Sequence, residues 1–173
     1  NNERQFGVLV HQQGGKPSGT VIFTPQVQYQ AQFATEDTAS GRCIWMSALN
    51  YQFTDPQPQL WVAREVPAGS CLAQEIIAHE SRHVAVFENA MQRLQSQADG
   101  ALRLVLNLPP VQVAFGQEES GYEALYDRVN SAMQPLIAGY EAEVMAGNNA
   151  IDTPAEYLRF SRACPGEGSR YLQ

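Results

Sequence analysis

The chain has little histidine, cysteine or lysine, and each scarcity narrows what it does. Histidine occurs three times in 173 residues and lysine once, against a net charge of −7. There is no basic stripe for a phosphate backbone or an anionic membrane surface, which argues against nucleic acid as a partner. No run approaches the roughly 20 consecutive apolar residues that cross a bilayer, so no membrane span is expected. Cys43, Cys71 and Cys164 allow at most one internal disulfide, and their spacing does not make the paired Cys-x-x-Cys of a zinc knuckle. Cys43 with Cys71 suits a staple between a strand and a helix start, whereas Cys164 suits tying down a Pro/Gly-rich tail, and both remain open. Low lysine beside abundant Gln, Asn and Ala leads us to expect an exported, bacterial-like protein, periplasmic or secreted. The first residue is Asn1 rather than Met, from which we expect that an upstream segment has been removed.

What is present is concentrated. Two of the three histidines fall in one pentapeptide, His79-Glu80-Ser81-Arg82-His83. Residues i and i+4 of an α-helix lie one above the other, so both imidazoles reach one cation while Glu80 is offset toward its open side. The flanking sequence predicts the helix this needs. Ser70 is the expected N-cap after Pro67 and Gly69, Leu72, Ile76, Phe87, Ala90 and Leu94 recur at helical spacing with the motif, and Asp99-Gly100 marks the expected stop. Three ionisable groups on an apolar stripe are costly to bury alone, and a bound cation compensates them most simply. The alternative is a pair of buried histidines satisfied by backbone, with Glu80 paired to an arginine such as Arg82.

The rest of the pattern predicts a single α+β domain over 1–173, with N-terminal antiparallel strands and hairpins packed on the motif helix and on a second, kinked helix. Strands are expected over 6–10, 20–33, Cys43 to Phe53 and Gln59 to Val66, the last two as a hairpin across Asp55-Pro-Gln-Pro. The alternation Val27-Gln-Tyr-Gln-Ala-Gln-Phe33 has a period of two, and Gly14-Gly15-Lys-Pro-Ser-Gly is read as a turn. Ala101 to Leu108 and Val111 to Phe115 flank Pro109-Pro110 and are expected to form either a second short hairpin or an extended crossover. A second helix is expected from about Glu118 to Ala146, kinked or broken at Pro135 and ended by Gly147-Asn148-Asn149, with a short helix from Thr153-Pro154 through Phe160.

His-Glu-x-x-His resembles the zincin class of zinc metallopeptidases, and the match is carried by the pentapeptide. The resemblance implies a zincin-like fold, Zn²⁺ held by His79 and His83, and Glu80 as the general base that takes a proton from zinc-bound water and passes it to the leaving amine. The chemistry leads to the same roles, since zinc lowers the pKa of bound water to about 7 and polarises a carbonyl.

A catalytic zinc takes a third protein ligand. The Gly and His of the metzincin continuation are absent, Val86 and Asn89 standing in their places, and His11 lies far upstream. The chain therefore resembles the glutamate-ligand branch, the gluzincins, whose third ligand comes from a second helix. Glu123-Ala-Leu-Tyr-Asp127 resembles the Glu-x-x-x-Asp of thermolysin-like enzymes. Glu143-Val-Met-Ala146 resembles the Glu-x-x-Ala segment of other zincins, with Gly147 where those carry Asp or Asn. Antiparallel packing of the two helices sets the motif opposite a level near residue 135, closer to Glu141 and Glu143 than to Glu123. Glu143, one turn from Tyr140 near one margin of the apolar stripe, ranks first, Glu141 near the other margin second and Glu123 third, with Glu156 or the region near His11 behind them. Tyr140 is the nominated oxyanion donor, and Asp152 or Thr153 is read as the N-cap before Pro154.

The leading expectation is thus a zinc-dependent peptidase acting on a peptide or protein substrate. The alternatives are a catalytically silent zincin-fold binding or envelope assembly module that retains the metal, and a metal-free domain in which the motif is accidental.

Overall fold

A computed structural model describes residues 4–5, 19–22, 26–54, 59–63 and 66–167. In chain order the elements are β1 (Arg4–Gln5), β2 (Gly19–Ile22), β3 (Gln26–Thr38), β4 (Gly41–Thr54), β5 (Gln59–Val62), α1 (Cys71–Leu106), β6 (Val111–Val113), α2 (Glu118–Ile151) and α3 (Pro154–Ala163). The class is α+β, with antiparallel strands preceding the long helices. The expected strand over 6–10, residues 14–18 of the expected turn, His11 and Asp55-Pro-Gln-Pro lie outside the described residues.

The chain forms two compact units, and both long helices contribute a segment to each. The first unit contains β1, β3, β4, β6 and residues 92–140. Its sheet has the order β1-β3-β4-β6. The partner of β4 differs from expectation: it pairs with β3, across the two-residue turn Ala39-Ser40, rather than with β5. Thr35 to Thr38 continue the ladder beyond the expected strand end at Phe33, and Thr38 and Gly41 pair directly. Gly41 is required there, since a Cβ would lie 2.0 Å from the carbonyl oxygen of Val113 on β6. The predicted alternation holds in β3, where Val27, Tyr29, Ala31 and Phe33 turn inward and Gln28, Gln30 and Gln32 are exposed. Ile44 and Met46 of β4 meet Ala98, Leu102 and Val105 of α1 and Leu125, Val129 and Met133 of α2 in the core.

Two helix boundaries move. α1 continues past Asp99-Gly100 to Leu106, so Ala101 to Leu108 is not an extended strand. A helical glycine costs about 1 kcal/mol relative to alanine. Burying Leu102 and Val105 returns about 1.5–3 kcal/mol each, which decides the matter. Asp99 is occupied as well, accepting a hydrogen bond from the Tyr51 hydroxyl at 2.5 Å. α2 likewise passes through Gly147-Asn148-Asn149 to Ile151, and Pro135 bends it without ending it.

The second unit contains β2 paired with β5 and residues 66–91 and 141–167 of the helical part. Ser70 caps α1 as expected, its Oγ accepting from the Ala73 N–H at 3.1 Å. Leu72, Ala73 and Ile76 pack with Val66, Phe160 and Cys164. The disulfide joins Cys71 to Cys164, fastening the start of α1 to the end of α3, and Cys43 is a free thiol. Among the described residues no helix is long and apolar enough to cross a membrane.

Candidate metal centre

His79, Glu80 and His83 occupy the buried face of α1, and with Asn148 they make up the buried polar residues among those described. The 71–91 segment of α1 and the 141–151 segment of α2 run antiparallel: His83 meets Asn148, and His79, one turn earlier, meets Asp152. Three donor atoms converge. His79 Nε2 lies 3.1 Å from Asp152 Oδ1 and 3.2 Å from His83 Nε2, and His83 Nε2 lies 3.3 Å from Asp152 Oδ1. These three side chains form a cluster that can bind a metal, and no other group of three such donors occurs among the described residues.

The triangle fits a tetrahedral ion. Ligands held about 2.0–2.1 Å from zinc stand about 3.3 Å apart, close to all three observed edges. The ring protons point to the same use. Asn148 Oδ1 lies 2.8 Å from His83 Nδ1, and a proton on that nitrogen leaves a bare lone pair on His83 Nε2 toward the cluster. His79 has a partner for either tautomer. Its Nδ1 lies 3.1 Å from Arg82 Nη2, which donates when the ring proton is on Nε2, and 3.5 Å from Glu156 Oε1, which accepts when the proton is on Nδ1. The second arrangement leaves two bare nitrogens and a carboxylate oxygen facing one point, an arrangement that a bound cation stabilises. Burial, then the neighbouring His83, holds the His79 pKa below the ordinary imidazole value, favouring the neutral ring that a metal requires.

Glu80 follows His79 on the same helix and is buried. Burial pushes its carboxyl above the usual carboxylate range, against the opposing influence of His83, which suits a proton acceptor working nearer neutrality. Glu156 moves the other way, to about 2, held first by Arg159 and then by Arg82. Arg159 also reaches Glu75, and the Phe160 ring stands edge-on to the His79 imidazole with centroids 5.4 Å apart. α3 thereby supplies the outer contacts of His79.

The structure brings together His79 and His83 as the sequence predicted, but sets Asp152 beside them rather than Glu143, Glu141 or Glu123. The level opposite the motif lies about four turns beyond the expected one near residue 135, and about two of those turns come from α1 running on to Leu106. Glu143 is part-buried on α2 and Glu141 is exposed, both outside the triangle. Glu123 and Tyr140 belong to the first unit. In the sequence Asp152 reads as a cap residue rather than a ligand, because Asp152-Thr153-Pro154 has the pattern of a helix start. Thr153 takes that role, its side chain accepting from the Glu156 N–H, and so leaves the Asp152 carboxylate for the cluster. The available signal was the repeated spacing: Asn148 and Asp152, like His79 and His83, lie one turn apart.

No protein-family model, no curated protein and no solved structure matches this chain.

Proposed function

We propose that this chain is a zinc-dependent peptidase of the zincin type, with the metal held by His79, His83 and Asp152 and with Glu80 as general base. The observation that carries the reading is the near-equilateral triangle of donors with a buried, raised-pKa glutamate next to one of its histidines. Two histidines and one carboxylate, with no fourth His, Cys, Asp or Glu in the cluster among the described residues, match the donor set of a catalytic rather than a closed structural zinc site. Asp152 here takes the place for which the glutamate-ligand resemblance favoured Glu143.

Zinc, when bound, supplies a Lewis acid that acidifies water and polarises the substrate carbonyl. Glu80 accepts the proton of the attacking water and returns it to the leaving amine, so that the peptide bond breaks with the amine neutral. Asp152 and the two imidazoles hold the ion, while Asn148 and Glu156 orient the rings. The Cys71–Cys164 disulfide is consistent with an oxidising, extracytoplasmic compartment.

The reading is tested by profiling zinc-loaded protein against a mixed peptide library. Hydrolysis that a chelator abolishes, zinc restores, and Glu80→Gln lowers by about 10²-fold or more is expected. Metal retained with no hydrolysis of any library peptide would instead favour a binding or envelope assembly module.

A further inference from the structure

Asn148 is out of place by every ordinary criterion. It is a buried amide near the end of a helix interior, a residue type with poor helix propensity, and an unpartnered polar group there is costly. The structure gives it a partner: Oδ1 accepts from His83 Nδ1 at 2.8 Å. The reach of so short a side chain requires the two helix segments to be close, and they approach closely at the neighbouring Gly147. A Cβ on Gly147 would lie 2.6 Å from Val86 Cγ1, and Val86 is one turn from His83.

We propose that Asn148 is a positioning residue that fixes His83 as the Nδ1–H tautomer, so that the Nε2 lone pair faces His79 and Asp152 before any metal arrives. This deepens, and in part rests on, the reading of the cluster as a zinc site. The side chain is suited to the task because its oxygen only accepts: pairing with it forces the ring proton onto Nδ1. A neutral amide also sets the ring without adding negative charge beside Asp152 and Glu80. An aspartate in the same place preserves the acceptor and adds that charge, while a leucine keeps the branched heavy-atom skeleton, somewhat larger, and removes the acceptor. These two variants separate positioning from packing.

The test uses the full chain with ¹⁵N-labelled histidine, zinc-free and zinc-loaded, and reads the His83 tautomer by long-range ¹H–¹⁵N correlation and zinc affinity by competition with a chelator. In the zinc-free wild type, His83 Nδ1 is expected to be protonated and Nε2 bare. Asn148→Leu is expected to lose that preference and to bind zinc about 10- to 100-fold more weakly, the scale for outer contacts of a ligating histidine. Asn148→Asp is expected to keep both the tautomer and the affinity. A wild-type His83 protonated at Nε2, or Asn148→Leu binding zinc as tightly as wild type, overturns the proposal. Should Asn148→Leu fail to fold, tenfold weaker zinc binding by Asn148→Asp overturns it instead. Should the wild type bind no zinc, the zinc reading fails, and the tautomer of the zinc-free protein still decides the role of Asn148.

Discussion

Gly147 approaches Val86 so closely that a methyl group at position 147 would sit 2.6 Å from Val86 Cγ1. Valine in a helix is stiff about χ1 and yields little, so Gly147→Ala overpacks the contact, by about 1–3 kcal/mol. In an open helix the same change gains about 1 kcal/mol. The sign therefore depends on position 86: we predict that Gly147→Ala destabilises the wild type but stabilises a Val86→Ala background, with zinc affinity following the same pattern. Denaturant unfolding of the four proteins of this cycle measures it. A Gly147→Ala effect that is the same in both backgrounds would show that the approach is not limiting.

Glu156 has a pKa of about 2 in the folded protein against 4.5 ordinarily, with Arg159 and then Arg82 as causes. A depressed carboxylate contributes stability that is complete above its unfolded pKa and lost as pH falls through the folded one. Allowing for screening around the half-exposed arginines, wild type is expected to lose about 1–2 kcal/mol between about pH 4.5 and 2 that Glu156→Gln does not lose. Parallel pH-stability curves for the two proteins would contradict this.

The Cys71–Cys164 bridge closes a sequence separation of 93 residues. Loops of that length correspond to a stabilisation of about 2–5 kcal/mol. The Cys71→Ser, Cys164→Ser double variant should unfold at lower denaturant by that amount, and thiol titration of unreduced, unfolded wild type should find Cys43 alone. Detection of all three thiols without reductant would exclude the bridge.

The parts of this molecule legible from its sequence are those where one local signal acts without a competitor. Ser70 caps α1 and Val27 to Phe33 alternates because nothing distant opposes either pattern. Errors arise where a local signal meets a tertiary one. Gly100 and Gly147 are punctuation in sequence, yet the burial of Leu102 and Val105 carries α1 past the first, and the close contact with Val86 makes use of the second. Strand partners belong to the same class, since β4 follows β3 and precedes β5 at similar distances and only the Thr38–Gly41 turn selects between them. The histidines of the site declare themselves through their spacing. Their third partner does not, because Asp152 is worth as much to a helix cap as to a metal, and only Thr153 taking the cap separates the two roles.

The central claim is that His79, His83 and Asp152 hold a metal ion, and zinc titration against a competing chelator, with metal content measured on protein purified without added zinc, tests it most directly. The account predicts close to one zinc per wild-type chain, sharply weakened binding in His79→Ala, His83→Ala and Asp152→Ala, and binding close to wild type in Glu143→Ala. A wild-type chain that neither carries nor takes up a transition metal, or an Asp152→Ala protein that binds zinc normally while Glu143→Ala does not, would contradict it.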